Sequence, residues 1–436
     1  MKIKFHGATQ SVTGSMTLVE HRGELFCVDA GFYQGENAQE AILRPLPFDP
    51  RELRAVFLTH AHLDHSGMLP RLTHLGFRGA VYCTPQTAKL ARLILSDSAG
   101  LLEKNPHPRM AHFYDSADVQ TAISLFKPIP LHQPFKVEGL TARFQSAGHI
   151  LGAASVELHG DKRVLFSGDL GRSDDVLFNP PEAPQGEYDL VVMESTYGDR
   201  LRPPGMEAEL NSFLVRLHAE GRTGIFASFA VARAQTLLYL IHRFFERHPE
   251  HKIPVHVDGP MLLSANRIYQ NFAQDTKDPT GLMAALTAFD QIENPGERRN
   301  VQREEGARLF LSSSGMLSGG PVLSHLAALA DDPRAVLFLP GYMSPGTLGH
   351  AFLQGERTFP DRVLGMVKWH GEVLHSDCFS SHADQRELLA WTASLPRHTR
   401  VALVHGEASA KTQLKGTLEA QELSAFIPET GEVVAL

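Results

Sequence analysis

An apolar run, AVFL at residues 55–58, gives way without a spacer to THAHLDH, so that three histidines and one aspartate crowd between His60 and His65. Such a run reads as a strand buried in a sheet, and the polar cluster then stands at the strand's mouth. While the chain is still extended, the i, i+2 spacing directs His60 and His62 to one side. Asp64 and His65 come from the turn entering a helix expected from Ser66 to about Leu75. One short segment therefore presents nitrogen and oxygen ligands to two neighbouring cations. The competing reading is a set of exposed loop histidines.

The chain has 436 residues, 43% hydrophobic and 21% charged, which fits a soluble protein of roughly two or three domains. No uncharged apolar run is long enough to span a bilayer, so no membrane partner is expected. The start, MKIKFHGATQ, lacks the apolar stretch of a signal peptide, which argues against secretion. Three widely separated cysteines, Cys27, Cys83 and Cys378, form no C-x-x-C pair and read as buried thiols in a reducing cytoplasm. The net charge of −8 gives no whole-molecule attraction for a polyanion. Bound divalent cations would supply that attraction locally.

Short strands separated by glycine-rich turns fill the first third, Lys2–His6, Met16–Glu20, Glu24–Asp29 and Arg54–Thr59, and more follow at Phe135–Gln145, Ala154–Leu158, Arg163–Phe166 and Asp189–Glu194. Helical patterns lie near Gln86–Leu102 and Ala117–Phe126, giving an α/β layered sandwich. Near Asp199–Pro204 the rhythm changes. Strands at Thr223–Ser228, Ile253–Asp258, Arg308–Ser312 and Ala335–Leu339 alternate with longer helical patterns, the signature of βαβ crossovers in a parallel sheet. Asn294–Gly306 reads as a polar surface loop. After about Ser380 one helix, Asp384–Ser394, precedes a strand, Val401–His405.

Further candidate ligands are dispersed. His149 in GHILGA and Asp169 in SGDLG each occupy a glycine-flanked loop, where a lone polar residue is commonly a turn former. His405 in LVHGE ends an apolar strand, as His60 does. In order, VDAG with Asp29, THAHLDH, GHILGA and SGDLG resemble the motifs of the metallo-β-lactamase fold. MESTYGDR, SFAVARAQ, SSSGMLSGG, GYMSPGTLG, FSSHAD and LVHGE resemble the β-CASP branch of that fold, the RNA-processing nucleases related to the cleavage-and-polyadenylation endonuclease.

This resemblance implies a metallo-β-lactamase αββα sandwich in two parts, residues 1–198 and 380–436, with a β-CASP α/β domain inserted at 199–379 and RNA entering where they meet. It implies two Zn2+ per chain, with Mn2+ as the alternative ion: His60, His62 and His149 on one, Asp64, His65 and His405 on the other, Asp169 bridging. Asp29 would orient a ligand histidine. Glu194 would hold His382, which would protonate the departing sugar oxygen. The catalytic residues are thus Asp64, Glu194 and His382. Arg233, Ser314, Gly315, Ser380 and Ser381 are candidate contacts to RNA phosphate, set against plainer roles as a solvated helix arginine and a flexible connection. FSSHAD departs from the family in carrying Ser381 where a small Ala or Gly is usual. The short stretch after His405 implies a minimal form without the long C-terminal domains of some members.

The expected activity is hydrolysis of single-stranded RNA by a metal-activated hydroxide, endonucleolytic with room for 5′-exonuclease action, in a cytoplasmic protein that could pair as a homodimer. Two rivals stand beside it. One is a hydrolase of a small thioester, lactone or phosphodiester, since function lives in the site and not the fold. The other is a non-catalytic RNA-binding scaffold.

Overall fold

The computed structural model describes residues 1–35, 38–104 and 113–436. The chain divides into two compact units, Met1–Leu201 together with His382–Leu436, and Arg202–Ser381.

The first unit is built on two seven-stranded sheets. One runs in the order Val433–Ala435, Lys2–Phe5, Thr17–His21, Glu24–Val28, Leu53–Phe57, Ala80–Cys83, Phe126–Pro128. The other runs Ser424–Phe426, Arg400–Val404, Leu190–Glu194, Arg163–Phe166, Ala154–His159, Leu140–Ser146, Phe135–Val137. Phe26 and Phe57 from the first sheet and Phe144, Val156 and Val192 from the second share one buried apolar core. Helix Pro85–Lys104 packs on the first sheet and helix Ala408–Ala420 on the second, which completes an αββα sandwich. Parallel pairing sets the register that matters. Val28 lies beside Phe57, so Asp29 emerges next to Leu58 and Thr59; Glu194 lies beside Val404, so it emerges next to His405.

The second unit carries a six-stranded sheet in the order Asp290–Ile292, Val255–Asp258, Arg308–Ser312, Thr223–Ala227, Val336–Pro340, Glu372–Ser376, every pair parallel. Its four central strands are buried at every residue, as a sheet covered by helices on both faces requires, while the edge strands Asp290–Ile292 and Glu372–Ser376 are largely exposed or half-buried. Among the described residues no helix is long and apolar enough to cross a membrane. All three cysteines are buried thiols outside any disulfide.

The structure corrects several expectations. The helix expected from Ser66 is two, Leu63–Ser66 and Leu69–His74, because Pro70 has no N–H to give the Ser66 carbonyl and its ring crowds it. Asp64 and His65 therefore stand on the first short helix and not in the turn before it. Phe135–Gln145 is a hairpin, turning at Glu138–Gly139 with positive φ at both residues. The segment read as a polar loop holds helix Pro295–Gln302, capped by Asn294, whose side chain accepts from the Gly296 and Glu297 N–H groups. Helices Met206–Glu220 and Ala408–Ala420 were not foreseen.

Candidate metal centre

The seven candidate ligands, Asp29, Glu194 and His382 all belong to the first unit, and all but His382 gather where strands end. Asp29 follows Glu24–Val28, His60 to His65 follow Leu53–Phe57, His149 follows Leu140–Ser146, Asp169 follows Arg163–Phe166, Glu194 ends its own strand, and His405 follows Arg400–Val404. Asp29 (φ 60°) and His405 (φ 50°) adopt left-handed backbone that costs a non-glycine residue about 1–3 kcal/mol, strain that surrounding hydrogen bonds hold in place.

The ligand atoms fall into two sets. In the first, His60 Nε2 lies 3.1 Å from His62 Nδ1, which lies 3.3 Å from His149 Nε2. Asp169 Oδ2 is 3.5 Å from His60 Nε2 and 3.7 Å from His149 Nε2. In the second, His65 Nε2 stands 3.2 Å from His405 Nε2, which stands 3.4 Å from Asp64 Oδ2. Asp169 turns its other oxygen to this set, Oδ1 lying 3.2 Å from His65 Nε2. Ligands held at about 2.0–2.2 Å around a tetrahedral ion stand roughly 3.3–3.6 Å apart, so both sets have the edge lengths of a coordination polyhedron. Within each set all ligand atoms lie within 4.8 Å of one another. Asp169 Oδ1 is buried without a hydrogen-bond partner. Mixed imidazole and carboxylate donors facing inward suit a zinc-like divalent ion.

Tautomers are fixed from behind. His65 Nδ1–H donates to Asp29 Oδ2 at 2.7 Å, which leaves Nε2 to face the set. Thr59 extends the same control: its hydroxyl donates to Asp29 at 2.9–3.0 Å and accepts from His60 Nδ1 at 3.1 Å. Asp29 thus orients one histidine of each set. Thr196 does the equivalent for His405, its hydroxyl lying 3.2 Å from Nδ1. Neither threonine stood out in the sequence, although Thr59 opens THAHLDH and Thr196 lies in MESTYGDR.

Burial pushes His62 down to about 4 and holds His60 well below the ordinary imidazole value, so both present lone pairs at neutral pH. His65 is opposed by burial too, but Asp169 and Asp29 outweigh it and raise its pKa well above the usual range. A proton and a cation compete for that position. Burial pushes Asp169 up, yet the imidazoles of His405, His65 and His60 keep its carboxyl well below the ordinary value.

His382 and Glu194 form a separate pair beside the sets. Glu194, 1% exposed, accepts from the Leu170 N–H at 2.6 Å and the Thr196 N–H at 3.2 Å, and His382 Nδ1 lies 3.3 Å from its Oε1. Burial disfavours charge on His382, but the Glu194 carboxylate overrides it and holds the pKa above the ordinary value. The His382 side chain is 21% exposed and Asp64 18%, and with His62 also half-buried these three form the open side of the cluster.

Arg233, Ser314, Gly315, Ser380 and Ser381 belong to the second unit. Arg233 begins helix Arg233–Arg247, donates from Nη1 to the Pro340 carbonyl at 2.5 Å and lies over the Phe229 ring. Ser314 Oγ accepts the Ser318 N–H at 2.9 Å, folding its loop on itself, and Gly315 packs so close to Phe229 that a Cβ would stand 2.8 Å from its backbone nitrogen. Ser380 is buried and Ser381 half-buried.

The chain matches the Metallo-beta-lactamase superfamily over residues 11–214, the Beta-Casp domain over 234–352 and the Zn-dependent metallo-hydrolase RNA specificity domain over 367–428. It is 35% identical to Ribonuclease TTHA0252 of Thermus thermophilus, across 93% of each chain. It is 27% identical to an RNase J-like protein of Methanocaldococcus jannaschii, across 100% of this chain and 99% of that one. It is also 27% identical to Cleavage and polyadenylation specificity factor 73 of Drosophila melanogaster, across 96% of this chain and 62% of that one. A crystal structure of a protein of unknown function from Enterococcus faecalis shares the fold, with a TM-score of 0.57 at 15% identity over 100% of this chain and 99% of the other. The order of domains, the relatives and the inward-facing ligand sets agree: the chain belongs to the β-CASP metallo-β-lactamase family of RNA nucleases.

Proposed function

We propose that this chain cleaves single-stranded RNA internally, using two zinc ions held by the two ligand sets. One observation supports this most: Asp169 offers Oδ2 to His60 and His149 and Oδ1 to His65, the disposition of a carboxylate that bridges two ions. Two such ions, when bound, would supply an activated nucleophile and charge neutralisation at a phosphodiester. His60, His62 and His149 would hold one and Asp64, His65 and His405 the other. Asp29, through Thr59 and directly, keeps one histidine of each set turned inward.

The protein's own proton chemistry falls to His382. Hydrolysis that leaves a 5′-phosphate expels the 3′-oxygen of the preceding sugar, and that oxygen needs a proton. An imidazole whose pKa the neighbouring Glu194 raises, at the open side of the cluster, would give it. Glu194 fixes the ring through Nδ1 and is itself fixed by two backbone N–H groups. Arg233, Ser314, Gly315, Ser380 and Ser381 remain in this reading as contacts to RNA phosphates. The reading takes the protein as cytoplasmic, and sedimentation velocity would show whether it pairs with itself.

A circular single-stranded RNA separates internal from terminal cleavage. The proposal expects the circle to be opened in a zinc-dependent reaction. A preparation that degrades linear 5′-phosphorylated RNA and leaves the circle intact would replace endonuclease with exonuclease, and one that leaves both intact would remove the activity.

A further inference from the structure

Lys411 is 1% exposed, on the first turn of the helix that follows His405. A buried ammonium is expensive unless paired, and burial lowers this one's pKa despite the charge of Glu407 one turn back. An aliphatic side chain would fill the same place at lower cost, so packing does not account for a lysine. Its contact does: Nζ donates to the Thr9 carbonyl.

Thr9 lies in GATQSVTGS, a segment that supplies no residue to either ligand set. The loop is pinched shut at its ends, since a Cβ on Gly7 would stand 1.8 Å from the Gly14 carbonyl oxygen. From this closed loop three hydrogen bonds reach the second ligand set. The His405 N–H donates to the Ala8 carbonyl at 2.7 Å, the Gly406 N–H to the Ser11 carbonyl at 3.2 Å, and the Ser15 N–H to the Asp64 carbonyl at 2.8 Å. Two of its anchors are strained: Ala8 (φ 52°) and His405 (φ 50°) both hold left-handed backbone. Among the described residues, the loop's backbone bonds to the ligand segments go to His405, Gly406 and Asp64 and not to His60, His62 or His149.

We propose that Lys411 is a positioning residue for the second ligand set: by holding the Thr9 carbonyl it keeps the Gly7–Ser15 loop in the shape that fixes the backbones of His405 and Asp64. The circuit is closed, because the helix bearing Lys411 begins right after the ligand it positions. This rests on the reading that the second set holds an ion. Groups that orient ligands from behind typically contribute about 10–100-fold to metal affinity, and here the effect is confined to one ion of two.

The test titrates chelator-stripped wild-type, Lys411→Met, Lys411→Gln and Leu414→Ala proteins with Zn2+, reading bound zinc by equilibrium dialysis with elemental analysis. Lys411→Met should keep the first equivalent at wild-type affinity and weaken the second about 10–100-fold. Lys411→Gln, which retains a donor, should recover part of that loss and carries the comparison should the Met variant not fold. Leu414→Ala destabilises the same helix without touching the clamp and should bind both ions as wild type does. Hydrogen exchange read alongside should quicken at the His405 and Gly406 amides in Lys411→Met alone. Wild-type affinity for both ions in Lys411→Met, or the same selective loss in Leu414→Ala, overturns the proposal. A wild-type chain that takes up no zinc removes the metal reading instead. The clamp then stands or falls on the exchange result, and unchanged exchange at His405 overturns it.

Discussion

Each unit of this molecule buries a polar cluster at the ends of its strands, and the two clusters differ in whether they are complete. In the inserted unit, Asp258 is fully buried and accepts from Arg298 Nε at 2.5 Å, Arg298 Nη2 at 2.9 Å and His325 Nε2 at 2.8 Å. Gln302 Nε2 then meets His325 Nδ1 at 3.1 Å, so a neutral imidazole there has both nitrogens satisfied. Charge and hydrogen bonds close without help. In the first unit, imidazole nitrogens face one another at 3.1–3.3 Å and a buried carboxylate oxygen has no donor. That cluster has acceptors in surplus. Buried polar groups are paired in native proteins, so the deficit calls for a cation, and the contrast separates a structural cluster from a chemical one.

The contrast is most exposed to test at its extremes. His60→Ala and Asp169→Ala should lose bound metal and RNA cleavage together, turnover falling to the uncatalysed background, as read by elemental analysis and a gel of end-labelled RNA. Either variant retaining full metal and full cleavage would break the comparison at its centre. His382→Ala should be the next largest effect, lowering kcat about 10²–10⁴-fold while metal content and RNA affinity stay near wild type. A loss of zinc in that variant would move His382 from proton donor to ligand, a role its place within 4.8 Å of Asp169 and Glu194 keeps open to measurement.

Arg298→Ala attacks the complete cluster. It removes the guanidinium partner of buried Asp258, leaving only His325, and should destabilise the inserted unit by about 3–5 kcal/mol, read from urea unfolding, with zinc content unchanged. Zinc loss without a stability change would invert the assignment of the two clusters. Glu194→Gln should be mildest. The carboxylate raises the pKa of His382, so its removal lowers that pKa, and the protonated acid is lost at lower pH. The alkaline limb of the kcat profile should therefore move down in pH, with less loss of turnover at neutral pH than in His382→Ala. A limb that stays in place would show that the group titrating there is not His382.

How much of this was legible in the chain depended on whether partners were near in sequence. His60, His62, Asp64 and His65 were legible because four ligand types share one segment. His149, Asp169 and His405 each read as an ordinary loop or strand-end residue, and the ordered motifs of the family, not spacing, joined them to the rest. Thr196 and Lys411 were illegible: their contacts run to His405 and Thr9, 209 and 402 residues away. In the fold, the parallel alternation of the inserted unit was plain from its apolar runs. The Glu138–Gly139 hairpin was hidden because glutamate is not a residue that announces positive φ. Helix Pro295–Gln302 was hidden by its polar composition, although Asn294, Pro295 and Glu297 were its capping signals in plain view.

The central claim is that the surplus of acceptors around Asp169 is filled by two ions which then cut RNA. Stripped protein titrated with Zn2+, with bound metal and opening of a circular RNA followed in the same samples, tests it most directly. The account predicts saturation at two ions per chain and cleavage that rises with the second. Cleavage at full rate by metal-free protein, or saturation with no more than trace metal, would contradict it.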